Sequence, residues 1–302
     1  MSAGDLSLRH LAALVAVHEE GSHRRAAARL GFSQAAVTSQ VAALEKSLGA
    51  AVLHHPGGPR PAVLTAVGLE VLAVARDVLA AAEQLDLRIA ALQDGRWGRL
   101  SIGTFQSVSA RLLPAVLGEL RGERPDVEVT VLESTDNDVL LRGVRTARLD
   151  VSFLVGPVDA PDLIVREVVR DPFVAVVPVD DPARTRLSIR ELGERPLVGH
   201  DACACHDLAE QGFAAAGVRP SFAFRSNDNA AVQAMVRAGL GTAVMPALSV
   251  NPEDPGVRLL AIEPALPTRS ILLAHAQERP PPTAVEFVER TQRAAAGLGL
   301  LG

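Results

Sequence analysis

The chain of 302 residues has no tyrosine, one tryptophan, two cysteines and a single lysine, Lys46. Cysteines only one residue apart, Cys203 and Cys205, cannot staple a disulfide framework, so the fold must rest on buried apolar surface. No apolar run approaches the roughly 20 residues that cross a bilayer, so no membrane partner is expected. The early run at residues 11–17 is followed by Glu19 and Glu20 with no small-residue cleavage site, which is unlike a signal peptide and predicts a cytoplasmic protein. With so few rings, a large planar ligand has little to stack on beyond Phe105 and Phe153.

Thirty basic against thirty-five acidic side chains give a net charge of −5, which argues against nucleic acid as a partner of the chain as a whole. The average conceals a local difference. Residues 1–65 carry six basic side chains (Arg9, Arg24, Arg25, Arg29, Lys46, Arg60) against four acidic ones, with five histidines besides.

That segment reads as helical. Leu8, Leu11, Leu14 and Val15 recur at helical spacing up to Gly21, and a short helix from about Ala26 to Leu30 lies between a Ser22 cap and Gly31. Ser33 caps a third helix to Leu48, on which Val37, Val41, Leu44 and Leu48 form the buried stripe. Two helices joined by Gly31-Phe32-Ser33 have the pattern of a helix-turn-helix. Ser33, Gln34, Ala35, Thr38 and Ser39 lie at the start of the second helix, where Gln can pair with adenine and a Thr or Ala methyl can touch thymine. The alternative is a helical hairpin with a merely solvated face. His54-His55-Pro-Gly-Gly-Pro-Arg60 has the turn residues of a wing, with Arg60 near phosphate.

Between residues 65 and 92 there is no proline. Val67, Val71, Val74, Val78, Ala81, Leu85, Arg88 and Leu92 alternate in steps of four and three, a heptad seam that predicts a long dimerising helix. Beyond a hinge at residues 93–99, strand candidates at 100–104, 127–133, 151–155, 173–179, 196–198, 221–224, 241–245 and 271–274 alternate with helices near 109–121, 136–147, 207–216, 228–238 and 284–296. Such alternation implies an α/β fold with parallel sheets and ligands at strand ends.

ALVAVHEEGSHRRAAARLGFSQAAVTSQVAALEKSLGAAVLHH followed by LTAVG resembles the amino-terminal signature of the LysR-type transcriptional regulators. LLPAVLGELRGERPDVEVTVLE, LDVSFLV, DPFVAVVPVDDP and AMVRAGLGTAVMP are similar to its regulatory half. The resemblance implies a winged helix-turn-helix at 1–65, a linker helix at 66–94 and a two-lobed, periplasmic-binding-protein-like (type 2) regulatory domain at 95–302. Its lobes would be 95–168 with 269–302, and 169–268. It further implies double-stranded DNA, a small-molecule effector and self-association as a dimer of dimers, with RNA polymerase a further partner and no cofactor or catalysis. The DNA contacts carried over are Gln34, Ala35, Thr38, Ser39 and Arg60. Three positions depart from the pattern: His23 replaces a Phe, Ala35 a Pro, and Leu53-His54-His55 a Phe-x-Arg. A histidine mostly neutral at pH 7 in place of a permanent cation predicts a weaker or pH-dependent phosphate contact.

An effector cleft would take its donors from strand ends and helix starts. The candidates are Thr104, Phe105, Gln106 and Ser107, then Ser134 and Thr135, then Ser226 and Asn227, with Ala202 and Cys203 from HDACACHD at residues 200–207. Helix starts favour an anion, so a small carboxylate is the expected effector. HDACACHD admits other readings. His200, Cys203, Cys205 and His206 are candidate ligands for zinc, copper or nickel, although C-x-C is tighter than the usual zinc spacing. A redox-responsive regulator acting through Cys203, Cys205 and His206 is another, and a Cys nucleophile with His206 as base a remote third.

Overall fold

The computed structural model describes residues 6–54, 62–93, 98–182, 184–201, 203–276 and 280–298. They form two compact units, residues 1–90 and 91–302.

In the first unit, α1 (Leu8–Glu20), α2 (His23–Leu30) and α3 (Gln34–Leu48) pack into one cluster. Each helix ends at a glycine with positive φ, Gly21, Gly31 and Gly49, where the left-handed turn excludes most side chains. Ser22 and Ser33 accept from Arg25 N and Ala36 N, which fixes the start of each helix and therefore the short turn between them. Val37, Val41 and Leu44 face the core. On α1 the buried stripe is Ala13, Leu14, Ala16 and Val17, whereas Leu8 is exposed. The stripe is displaced because small alanines let α2 and α3 approach closely.

Strands β1 (Leu53–His54) and β2 (Val63–Leu64) pair antiparallel, as the base of a wing requires. The loop carrying Arg60 and His55 lies outside the described residues. Glu45 accepts from Val52 N and Leu53 N, tying α3 to β1. The LTxxG motif has a local cause. Thr65 Oγ1 donates to Ala51 O and accepts from Gly68 N, and a Cβ on Gly68 would lie 2.0 Å from Val52 O. Helix α4 (Ala66–Gln93) buries Leu72 and Ala75, while Val67, Val74, Val78, Leu85 and Ile89 stay exposed. The Arg88 and Leu92 side chains lie outside the described set.

The second unit holds two mixed sheets. The first has the order β4 (Glu128–Glu133), β3 (Arg99–Thr104), β5 (Val151–Val155), β13 (Arg269–Ala276), β6 (Leu163–Asp171). The second runs β10 (Ser221–Arg225), β9 (Pro196–Gly199), β11 (Thr242–Pro246), β7 (Phe173–Pro178), β12 (Val257–Glu263), β8 (Arg186–Ser188). Strand β13 is antiparallel to β5 and β6, and β7 to β11 and β12, so the expectation of purely parallel sheets is corrected. The cause is the double crossing of the chain between sheets. Each crossing delivers a strand against the direction of its new neighbours. The first crossing falls at Pro172, between β6 and β7, a few residues beyond Val168, and the return falls between β12 and β13.

Helices α5 (Gln106–Arg111), α6 (Leu113–Glu123), α7 (Asn137–Arg145) and α11 (Pro282–Gly297) accompany the first sheet. Helices α8 (Ile189–Gly193), α9 (Ala204–Ala215) and α10 (Asn229–Arg237) accompany the second. Phe153, expected as a stacking surface, is fully buried and meets Phe287 edge to face at 6.1 Å. It is core, because β5 is central and covered on both faces.

Candidate functional site: the effector cleft and the helix-turn-helix face

A small cleft of about 50 Å³, open on one side, lies where the first and second sheets meet at their crossover strands. Its wall is built from three helix starts. Phe105, Gln106 and Ser107 begin α5, Cys203, Ala204 and Cys205 begin α9, and Asn227 with Asn229 begin α10. Thr135, Val155, His200, Ser249 and Arg269 complete it.

Of the residues expected to face an effector, Phe105, Gln106, Ser107, Thr135, Cys203 and Asn227 line this cleft. Three others do not. Thr104 is fully buried, with Oγ1 bonded to Phe105 O and Ser109 Oγ. Ser134 Oγ accepts from Asp136 N and Ser226 Oγ from Asp228 N, so both shape the turns that lead into α7 and α10. Ala202 lies outside the described residues.

Sequence reasoning overlooked the residue at the centre. Arg269, only 2% exposed, is the first residue of β13 and pairs in register with Asp171, the last of β6. Its Nε donates to Asp171 Oδ2 at 3.0 Å and its Nη2 bonds the same oxygen. Nη2 also donates to Ser107 Oγ at 3.0 Å, and Nη1 to Cys205 Sγ at 3.2 Å. The guanidinium lies 5.4 Å from the Phe105 ring centre. Asp171 Oδ1 accepts from Leu248 N. One cation at the crossover thus ties helix α5 beside the first sheet to helix α9 beside the second.

The Gln106 side chain spans the cleft in the same way. Its Oε1 accepts from Asn229 N at 2.8 Å and its Nε2 donates to Asp228 Oδ1 at 3.3 Å. Asn229 Oδ1 meets His200 Nε2 at 2.8 Å, which fixes the ring against the wall. Asn137 holds the end of β5 by bonding both Val155 N and Val155 O.

The two cysteines are both free. Interaction with Cys203 and with the Arg269 guanidinium holds the Cys205 thiol below its ordinary range against the pull of burial. Cys203 moves the other way, raised by the adjacent Cys205 sulfur and by burial. Among the described residues no three His, Cys, Asp or Glu side chains are placed to hold an ion. His206 accepts from Arg225 Nη1 at 2.9 Å and meets the Phe222 ring at 6.2 Å, and His200 is held by Asn229. A cation 3.2 Å from Cys205 opposes a second positive charge there. The same contacts hold His206 to Arg225 rather than to a cysteine, the base that the enzyme reading needs.

On α3, Ser33, Gln34, Ala35, Thr38 and Ser39 are all exposed while Val37 and Val41 are buried, so one face is free along the first turns. Thr38 Oγ1 donates to Gln34 O at 3.0 Å. Among the described residues no helix is long and apolar enough to cross a membrane.

Residues 8–69 match the family model of the bacterial regulatory helix-turn-helix protein, lysR family, and residues 93–296 that of the LysR substrate binding domain. The transcriptional regulator CbbR of Xanthobacter flavus is 30% identical over 90% of this chain and 83% of its own. The Hca operon transcriptional activator HcaR of Escherichia coli is 29% identical over 97% of this chain and 99% of its own. Among solved structures, the LysR family regulator CbnR covers 96% of this chain and 99% of its own, at 25% identity and a TM-score of 0.73. Its full-length structure is also known in complex with target DNA, at the same identity and TM-score. With both halves matched and relatives aligned along most of its length, the chain belongs to the LysR family of helix-turn-helix transcriptional regulators.

Proposed function

We propose that this regulator reads DNA with the free face of α3 and answers to a small carboxylate held in the cleft, without catalysis and without a resident cofactor. The observation that carries the effector reading is the convergence of three helix starts and a buried guanidinium on one cleft. Backbone N–H groups at helix starts present partial positive charge, and a carboxylate fits them better than a neutral or cationic group. Gln106 and Asn229 bridge the same cleft, so a ligand that reorganises this bridge changes how the lobes are held. It acts only insofar as it binds two arrangements unequally.

On the DNA side, Gln34 and Thr38 contact base edges, with Ser33, Ala35 and Ser39 beside them and Arg60 reaching phosphate from the wing. The exposed α4 residues associate with a second copy, and the complex works in the cytoplasm through RNA polymerase at its promoters.

A panel of small mono- and dicarboxylates, screened by thermal shift on the full chain, tests the effector reading. At least one is expected to stabilise the wild type, with the effect lost in Asn229→Ala. A neutral or cationic compound that stabilises where every carboxylate fails refutes it. For DNA, Gln34→Ala is expected to weaken operator binding by about 1–3 kcal/mol, read by gel shift, with the fold unchanged.

A further inference from the structure

Ser249 takes part in none of the bonds that hold the cleft together. It is 8% exposed, it lines the cleft, and its hydroxyl has no partner among the described residues. A buried hydroxyl without a partner costs stability, so packing alone gives this position no reason to be serine rather than alanine. The backbone before it is nevertheless fixed. Ala247 N donates to Pro172 O at 2.8 Å and Leu248 N to Asp171 Oδ1 at 2.9 Å, which pins the short 3-10 turn Ala247–Ser249 after β11 against the buried ion pair. The hydroxyl is held at the cleft wall, preorganised for a group that the chain itself does not supply. A second hydroxyl is half used. Ser107 Oγ accepts from Arg269 Nη2 at 3.0 Å, so its own hydrogen is directed away from the guanidinium and has no acceptor among the described residues.

We propose that Ser249 sets the effector class, and that the acid held in this cleft is a short hydroxy- or keto-acid whose second oxygen pairs with the Ser249 hydroxyl. Space limits the length. A water takes about 10–15 Å³ of such a cavity and the cleft offers about 50 Å³, room for about four groups of that size and hence for an acid of about two or three carbons. Chemistry calls for the second oxygen. With the carboxylate bound, the Ser249 hydroxyl still needs a polar partner, and a hydroxyl or carbonyl on the ligand chain supplies one. Because a serine hydroxyl both donates and accepts, it pairs with either form. The free hydrogen of Ser107 is the matching donor for the carboxylate, and Phe105 and Val155 give the carbon chain an apolar wall. An acid that lacks the second oxygen leaves Ser249 buried and unpaired, which is the physical basis of the discrimination.

The inference rests on the carboxylate reading of the cleft, and its test separates the two. The full-length chain is titrated by calorimetry with glycolate, lactate and pyruvate, and in parallel with acetate and propionate, which have the same carboxylate but no second oxygen. At least one of the oxygenated acids is expected to bind about tenfold more tightly than its plain counterpart. In Ser249→Ala this gap is expected to shrink to less than about twofold, with acetate and propionate binding as they do to the wild type. Without ligand, Ser249→Ala is expected to melt no lower than the wild type, because the hydroxyl removed had no partner. Equal affinity for oxygenated and plain acids in the wild type overturns this inference and leaves the carboxylate reading standing, whereas binding of none of these acids overturns the inference while longer carboxylates still test that reading. A gap that persists in Ser249→Ala removes Ser249 from the assignment. Tighter binding of succinate or hexanoate than of glycolate overturns the size class, and a lower melting point of unliganded Ser249→Ala places the hydroxyl in the fold instead of the site.

Discussion

Arg269 and Asp171 are 2% and 0% exposed, so neither charge has water to replace its partner. Removing one member of such a pair leaves the other buried and uncompensated. Asp171→Asn is therefore expected to lower stability by about 3–5 kcal/mol, measured by urea unfolding, whereas replacing an exposed pair such as Arg170 and Glu167 changes it by less than about 1 kcal/mol. At Cys205 the expected signature is a pH profile. A thiol with an ordinary value near 9 becomes almost a hundredfold more reactive between pH 6 and 8, because its thiolate fraction rises over that range. Cys205, held below that value beside the Arg269 guanidinium, keeps its thiolate to lower pH. Its alkylation by iodoacetamide is expected to rise less steeply between pH 6 and 8 than that of a free thiol, and an equally steep rise would refute the assignment of charge. These residues also mark what the sequence conceals. Thr104, Ser134 and Ser226 have the same type and placement as true lining residues, and only the direction of the side chain separates a turn cap from a ligand contact. Arg269 is 98 positions from Asp171, and nothing local to either hints at the pair.

Among the elements, α4 carries the clearest unsatisfied demand. Val67, Val74, Val78 and Leu85 lie on its heptad seam and are exposed in the single chain. Leu85→Glu is expected to shift the protein toward monomer, read by analytical ultracentrifugation, with the helix-turn-helix core intact. Gly68→Ala tests the junction before it: the added carbon would meet Val52 O, and repair by backbone movement is expected to cost about 1–3 kcal/mol in the first unit. Helices were legible because a period of 3.6 and terminal glycines are local signals. Strands β6, β8 and β12 were not. Arg166, Glu167 and Arg170 interrupt β6, an edge strand whose charged side chains face solvent, and β8 has three residues. The antiparallel crossings were hidden for a related reason, since strand direction depends on which sheet a segment joins.

At the scale of the whole molecule, the two compact units have separate cores, so calorimetry is expected to resolve at least two transitions. A cleft ligand at a hundred times its Kd contributes about 2.7 kcal/mol, and it is expected to raise only the transition of residues 91–302. The family and the order of its parts were legible from short motifs, whereas the closing of the cleft around one buried cation was not, because it joins segments far apart in sequence. The register of Arg269 with Asp171 has a further consequence. No strand of the first sheet comes from residues 172–268, and the two ends of that stretch emerge side by side from adjacent strands. The second lobe is therefore a single cassette spliced into a hairpin. A new lobe could be exchanged at two neighbouring joints without rethreading the first sheet, which gives evolution or an engineer a simple route to new effector specificity.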